Sequence, residues 1–273
     1  MNCKEAVDKE LKSNGLPSNI DIAVNLSGRN IGELSLSFLN NINYKSYLQE
    51  VEISRVKTSS LLSKLANEAK IPRYINASAV GFYKNSTSKI HDESSQYEKD
   101  GFMTELVRKW EETVIPLHSG KTFIMRTGVV LAKDSHVLEN MYWQHKLGFG
   151  GPIASGRQWI PWIHIDDTID IFFRTIIGSF DKMAETDKKT IINVVSPHCV
   201  RQLDFSKALS KALNAPISGK FPTPGFIFPI LLGKERANLV LEGANVNPKF
   251  LLHEANYRFK FPDIQDALNN IYK

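Results

Sequence analysis

The chain is poor in cysteine: two residues, Cys3 and Cys199, in 273. That excludes a disulfide framework and leaves no Cys-x-x-Cys spacing for a metal or a redox pair. Among the seven histidines there is no His-Glu-x-x-His segment and no pair four residues apart, so no metal is expected. Long apolar runs are missing too. The nearest, Phe221 to Gly233, falls short of the roughly 18 residues of a membrane span and is cut by Pro222, Pro224 and Pro229. The opening MNCKEAVDKELKSNG lacks the apolar core of a secretory signal. The sequons at Asn25, Asn76 and Asn85 are therefore read as accidental. Charge of one sign is also lacking. Lys+Arg 34 against Asp+Glu 29 gives +5, spread along the chain without a basic block. Neither nucleic acid nor a membrane surface is expected as a partner. A reducing, intracellular location fits this composition, cytoplasmic or mitochondrial; any targeting peptide would lie upstream of Met1.

What is present is ordinary for a globular protein: 42% apolar and 23% charged residues. The length suffices for one large α/β domain, alone or with a smaller lobe. The pattern alternates strands with helices. Ile20 to Leu26 reads as a strand. Val51 to Ala69 reads as a helix, with Val51, Val56, Leu61, Leu62, Leu65 and Ala69 at three- and four-residue spacing. Arg73 to Ala77 is a strand ending at Ser78, and Lys84 to Asp100 a surface loop. Phe102 to Pro116 is a helix, Thr122 to Leu131 a strand and Val137 to Leu147 a helix. Ile160 to Ile165 is extended, and Asp166 or Asp167 can cap a helix running to Ile177. Thr190 to Val195 is a strand and Val200 to Leu213 a helix. Short helices over Phe221 to Leu232, Pro248 to Ala255 and Pro262 to Tyr272 complete the chain. Strands separated by helices at this spacing predict βαβ units and a parallel sheet.

Parallel sheets that bind dinucleotides carry a Gly-rich turn after the first strand. Its glycines let the backbone approach the pyrophosphate, and the next helix begins there. These residues contain no such turn. Gly148, Gly150 and Gly151 are followed by Pro152. Gly151 to Gly156 matches a P-loop in spacing, but Arg157 and Gln158 stand where Lys and Ser/Thr belong.

Several stretches together carry a resemblance: AVNLSGRNI (23–31), ASAVGFY (77–83), VRKWEE (107–112), MRTGVVLAKD (125–134), KLGFGGPIASGRQWIPWIHIDD (146–167), NVVSPHCVRQLDF (193–205) and LLGKERANLVLEG (231–243). In this order and spacing the chain resembles the atypical extended short-chain dehydrogenase/reductases, in the branch called epimerase family proteins. The resemblance implies a Rossmann-like parallel sheet flanked by helices, with residues 1–200 as the dinucleotide domain, including the cleft segment 146–167. A smaller, mostly helical substrate lobe would follow at 201–273. Family members open with a strand carrying GGTGFIG. Roughly the first 40 residues of that pattern, about one βαβ unit, are absent, so the fold is expected to be N-terminally truncated.

The resemblance also implies NADP (or NAD) as cofactor and a small-molecule substrate of unknown identity. It places Asn25, Leu26, Ser27 and Gly28 along the adenine-side ribose, and Arg126, Gly128 and Val129 beside the nicotinamide. Ser78 would polarise a carbonyl, with Tyr83 as a phenol donor nearby. Arg157, Trp162 and His164 would wall the substrate cleft. Each has a plainer reading: a turn, a packed aromatic, a structural ion pair, a scaffold histidine. One departure stands out. The best-known members carry Tyr-x-x-x-Lys on the helix that here spans Phe102 to Pro116. Aligned on Glu111, those positions are Met103 and Val107; shifted by one, they are Phe102 and Leu106. Trp110 and Glu111 read as packing plus a partly buried carboxylate. Two functions therefore compete: an oxidoreductase or epimerase, impaired in cofactor binding in this form, and a non-catalytic dinucleotide-sensing or scaffold protein.

Overall fold

Apolar runs bounded by polar turns form the core sheet. In the computed structural model, residues 19–30, 44–148, 150–215, 222–232 and 234–273 are described. Cys3, Phe221 and Gly233 lie outside them. Strands β1 (Ala23–Asn25), β2 (Arg73–Ala79), β4 (Lys121–Thr127) and β8 (Lys189–Val194) lie in the order β1-β2-β4-β8, all parallel. The predicted parallel sheet is present. Helices α1 (Tyr44–Glu68) and α2 (Gly101–Glu112) cover one face, and α4 (Ile165–Ile176) lies on the other.

The period-two alternation of strands assigns those faces. Ile75, Phe123, Met125, Ile192 and Val194 join Ile171 of α4 in one apolar cluster, which Phe250, Leu251 and Tyr257 complete. Tyr74 and Ile124 point the other way, against Ala66 of α1 and against Val114 and Leu117. Polar residues occupy the rest of that second face towards the carboxyl ends. The register sets Ser78 beside Arg126 and Arg126 beside Asn193.

The predicted strand from Thr122 to Leu131 is two strands. It breaks at Gly128, whose N–H donates to the Val194 carbonyl. A Cβ there would lie 2.5 Å from the Pro161 carbonyl oxygen, so only glycine fits. β5 (Val129–Leu131) then leaves the sheet and pairs with β7 (Trp162–His164). The loop from Lys84 to Asp100 holds a short strand, β3 (Ile90–His91), paired with β10 (Asn245–Val246).

The cap of α4 is neither Asp166 nor Asp167. His164 Nδ1 accepts the Asp166 N–H at 3.1 Å. Asp167 turns inward instead, accepting from the Lys260 and Phe261 amides and the Tyr257 hydroxyl at 2.7, 2.9 and 3.1 Å. That carboxylate fastens the C-terminal segment to α4. Nearby, β6 (Trp159–Ile160) pairs antiparallel with β9 (Val200–Arg201). Helices α3 (His136–Lys146), α5 (Gln202–Ala212) and α8 (Ile264–Ile271) surround the buried Trp162. Helices α6 (Ile227–Leu232) and α7 (Lys234–Leu241) lie between α5 and β10.

Candidate functional site

The carboxyl ends of β2, β4 and β8 are tied together by one buried polar network. Ser78 at the end of β2 donates to Glu111 Oε1 at 2.5 Å. Glu111 reaches it from the last turn of α2, which runs antiparallel to the strands. Arg126 grips the same carboxylate with two bonds, Nε to Oε1 at 2.8 Å and Nη2 to Oε2 at 2.7 Å. Its remaining amino group donates to the Tyr83 hydroxyl at 3.0 Å, and Tyr83 donates to Asn193 Oδ1 at 2.7 Å. The guanidinium carbon lies 3.4 Å from the centre of the Phe82 ring. Arg126 and Glu111 are only 4% and 7% exposed, so removal of either would leave a buried charge without its partner.

This network engages both candidate proton donors. Ser78 and Tyr83 are 5% and 4% exposed, and each hydroxyl already has an acceptor. Burial pushes the Tyr83 phenol up to about 12, against the pull of Arg126. A substrate oxygen could meet Ser78 only in exchange for Glu111.

The loop after β1 behaves differently. Asn25 is buried and turned into the sheet, donating to Ser59 Oγ at 2.9 Å and to Asn76 Oδ1 at 2.7 Å. The indole N–H of Trp110 donates to the same Ser59 hydroxyl at 2.7 Å, so α1, α2, β1 and β2 meet there. Ser27 folds back on Asn25 Oδ1 through its amide and hydroxyl. Leu26, Ser27 and Gly28 remain exposed. Gly128 and Val129 sit where β4 ends, their backbone held by Val194 and Pro161.

The remaining predicted residues stand apart from the Ser78–Arg126 network. Trp162 is fully buried, its indole N–H donating to the His198 carbonyl at 3.0 Å. His164 is 2% exposed, and its ring lies 4.0 Å from that of Phe261. Burial holds its imidazole below the usual histidine range. Arg157 is exposed just ahead of β6, its carbonyl accepting from Arg201.

Sequence reasoning missed Asn193 and Glu93. Glu93 Oε1 accepts the Asn193 N–H at 3.0 Å, sealing the outer edge of β8, and burial raises its carboxyl. A polar residue inside an apolar strand was the available signal for Asn193, since a buried amide needs partners. An open cleft of about 520 Å³ runs along this edge, from Phe82 past Glu93 and Arg126 to Lys189. Lys189, from the start of β8, reaches the Glu111 carbonyl with its Nζ at one end of the cleft.

The described residues contain no group of three or more His, Cys, Asp or Glu able to hold a metal ion. No described helix is long and apolar enough to cross a membrane.

Comparison with known proteins adds the following. Residues 223–271 match a domain of unknown function, DUF1731. The mouse epimerase family protein SDR39U1 is 34% identical over 267 residues, covering 96% of this chain and 85% of the relative. A chloroplastic homologue from Arabidopsis thaliana is 33% identical over 228 residues, 82% of this chain and 62% of that protein. The crystal structure of human SDR39U1 (isoform 2) with NADPH superposes with a TM-score of 0.80 at 31% identity, covering 97% of this chain and 85% of that one. A UDP-galactose 4-epimerase structure shares the fold at a TM-score of 0.65 and 11% identity. With a third of its residues identical to the mouse protein across nearly its whole length, this chain belongs to the epimerase family proteins of the short-chain dehydrogenase/reductase group.

Proposed function

We propose that this chain is an NADP(H)-dependent oxidoreductase or epimerase acting on a small molecule. The supporting observation is its likeness, over 97% of its length, to a human protein crystallised with NADPH. The fit of its own residues is partial. Leu26, Ser27 and Gly28 are exposed for the ribose side, and the backbone of Gly128 and Val129 stands at the end of β4 for the nicotinamide side. For the pyrophosphate, these residues offer no Gly-rich turn opening a helix. Affinity for the dinucleotide is therefore expected to be weak in this chain. When bound, NADP(H) supplies hydride exchange with a carbonyl or alcohol carbon. In this reading Arg126 and Glu111 fix Ser78 at the strand end, and of the three residues expected to wall the substrate cleft Arg157 is exposed while Trp162 and His164 are buried. Its free Cys199, with a thiol that burial pushes up to about 11, suits a reducing compartment, cytoplasmic or mitochondrial.

A second reading, a non-catalytic dinucleotide sensor, is favoured by one observation: the hydroxyls of Ser78 and Tyr83 are both engaged inside the buried network. One experiment separates the two. NADPH is titrated into the 273-residue chain while thermal unfolding is followed, then NADPH oxidation is measured against a panel of carbonyl compounds. A ligand bound by the native state alone raises the melting temperature with concentration. A shift with turnover supports the enzyme. A shift without turnover supports the sensor. A cooperative melt that neither NADPH nor NADH moves overturns both.

A further inference from the structure

Between Tyr83 and Gly101 the chain runs for 17 residues, KNSTSKIHDESSQYEKD, with little apolar surface to bury. Ile90 is 62% exposed, and Tyr97 sits only at the margin of a cluster. The base of this loop is closed. The Asn85 amide donates to Asp100 Oδ2 at 2.8 Å, which joins the two ends as in a large Ω-loop. Gly101 follows with φ of +83°, and a Cβ there would meet nothing within 4 Å. The backbone can turn at that point without displacing a neighbour.

The loop lies against the C-terminal segment along a polar seam. β3 and β10 pair over two residues only. The Asn247 N–H donates to the His91 carbonyl at 2.7 Å, and Glu93 Oε1 accepts the Asn193 N–H at 3.0 Å. At the surface, the Asn85 side chain donates to Glu242 and Arg201 donates to the Thr87 carbonyl. Six buried side-chain polar atoms of the described residues have no hydrogen-bond partner. Four of them lie in this seam: both ring nitrogens of His91, Glu93 Oε2 and Asn247 Oδ1. The Lys84 backbone lies beside His91 and the Phe250 backbone beside Glu93, but neither completes a bond to these atoms. Buried polar groups as a rule have partners. Here closure withholds them, and water supplies them once the seam opens. A loop with few apolar contacts and such a seam belongs to the low-stability end of a fold.

Behind the loop lies the Ser78–Arg126 network. Glu93 to Tyr97 form one wall of the cleft of about 520 Å³, with Phe82, Glu111 and Arg126 opposite. The His91 ring lies 5.3 Å from that of Tyr83. Lifting the loop therefore joins the cleft to Tyr83, which the closed position keeps buried. We infer that residues 85–100 are a strap that swings as one unit about Gly101, and that its open position admits substrate to Tyr83, Arg126 and Glu111. The inference rests on the oxidoreductase or epimerase reading for what is admitted, though not for the movement.

Residue-resolved hydrogen exchange by NMR, on the 273-residue chain without nucleotide, tests the movement. The Asn193 and Asn247 amides are bonded across the seam. They should exchange at a common rate, about tenfold or more faster than amides of β4, which is paired on both sides. His91→Leu removes two of the four partnerless atoms and should slow both amides about tenfold. Ile90→Thr, at the exposed position beside it, should not. If His91→Leu fails to fold, Asn247→Leu removes another of the four and is read in its place. Seam amides as slow as those of β4, or a folded seam variant with parental rates, overturn the strap. NADPH-dependent turnover of a carbonyl compound tests its purpose. The slowed variant should lose kcat/KM by a similar factor with unchanged affinity for NADPH; equal turnover overturns the role in admitting substrate. A parent chain that opens but turns over nothing leaves the strap standing and removes the enzyme reading.

Discussion

At the scale of single residues, the central fact is the pairing of Glu111 with Arg126. The sequence alone left Arg126 open between an anion ligand and an ion pair; the structure pairs it with Glu111 through two bonds of 2.7 and 2.8 Å. Arg126→Met should destabilise the fold by about 3–5 kcal/mol, since it strands a buried carboxylate. Urea unfolding measures this. Ser78→Ala removes one bond and leaves Arg126 on the carboxylate, so about 1–3 kcal/mol is expected. If Ser78 also polarises a substrate carbonyl, turnover in an active preparation must fall as well; unchanged kinetics would confine the serine to the network. The buried histidines make a pH prediction. Burial lowers His91, His145 and His164 below the ordinary value. The unfolded chain then binds protons more readily than the native one. Their contribution is fully present above about 6.5 and is lost as pH falls through the native values. The melting temperature should decline on acidification below that point, and His145→Gln should reduce the slope.

At the scale of elements, strand and helix positions were legible because hydrophobic period decides them. Their ends were not, because contacts decide those. The helix predicted from Val51 spans Tyr44–Glu68 among the described residues, and the single strand after Thr122 is divided at Gly128. Local sequence there, FIM and VVL around Arg126-Thr127-Gly128, reads as one extended segment. The break comes from Pro161, 33 residues on, whose backbone fills the space a side chain would need. Gly128→Ala should therefore cost about 1–3 kcal/mol through overpacking. Circular dichroism melts would register it, and a fully stable variant would show that β4 and β5 tolerate separation from β7. The α4 cap has the same lesson. Asp167 has capping chemistry in sequence, but folding places the Lys260 and Phe261 amides against it.

At the scale of the whole molecule, the C-terminal segment is part of the sheet's own core. Phe250, Leu251 and Tyr257 pack with Ile75, Phe123 and Ile192, and Ala267 and Leu268 of α8 pack with Trp162 and Leu209. A chain ending at Asn247 loses all of these contacts at once. It should show no cooperative thermal transition; a retained two-state melt would mean that the sheet and its helices are sufficient alone. Several buried large-to-small losses at about 2–5 kcal/mol each exceed the usual margin of domain stability.

The sequence by itself determined the class of fold, the parallel sheet and the family, because periodicity and ordered motifs are properties of neighbouring residues. It also determined that the helix from Gly101 carries no Tyr-x-x-x-Lys. Only tertiary structure decided what the polar residues at the strand ends do. Ser78, Arg126 and Asn193 lie on three strands far apart in sequence, and the parallel register sets them side by side. Glu111, from a helix, then supplies the charge that closes the network. Desolvation makes such groups find partners, and which partners they find depends on distances that no local pattern encodes.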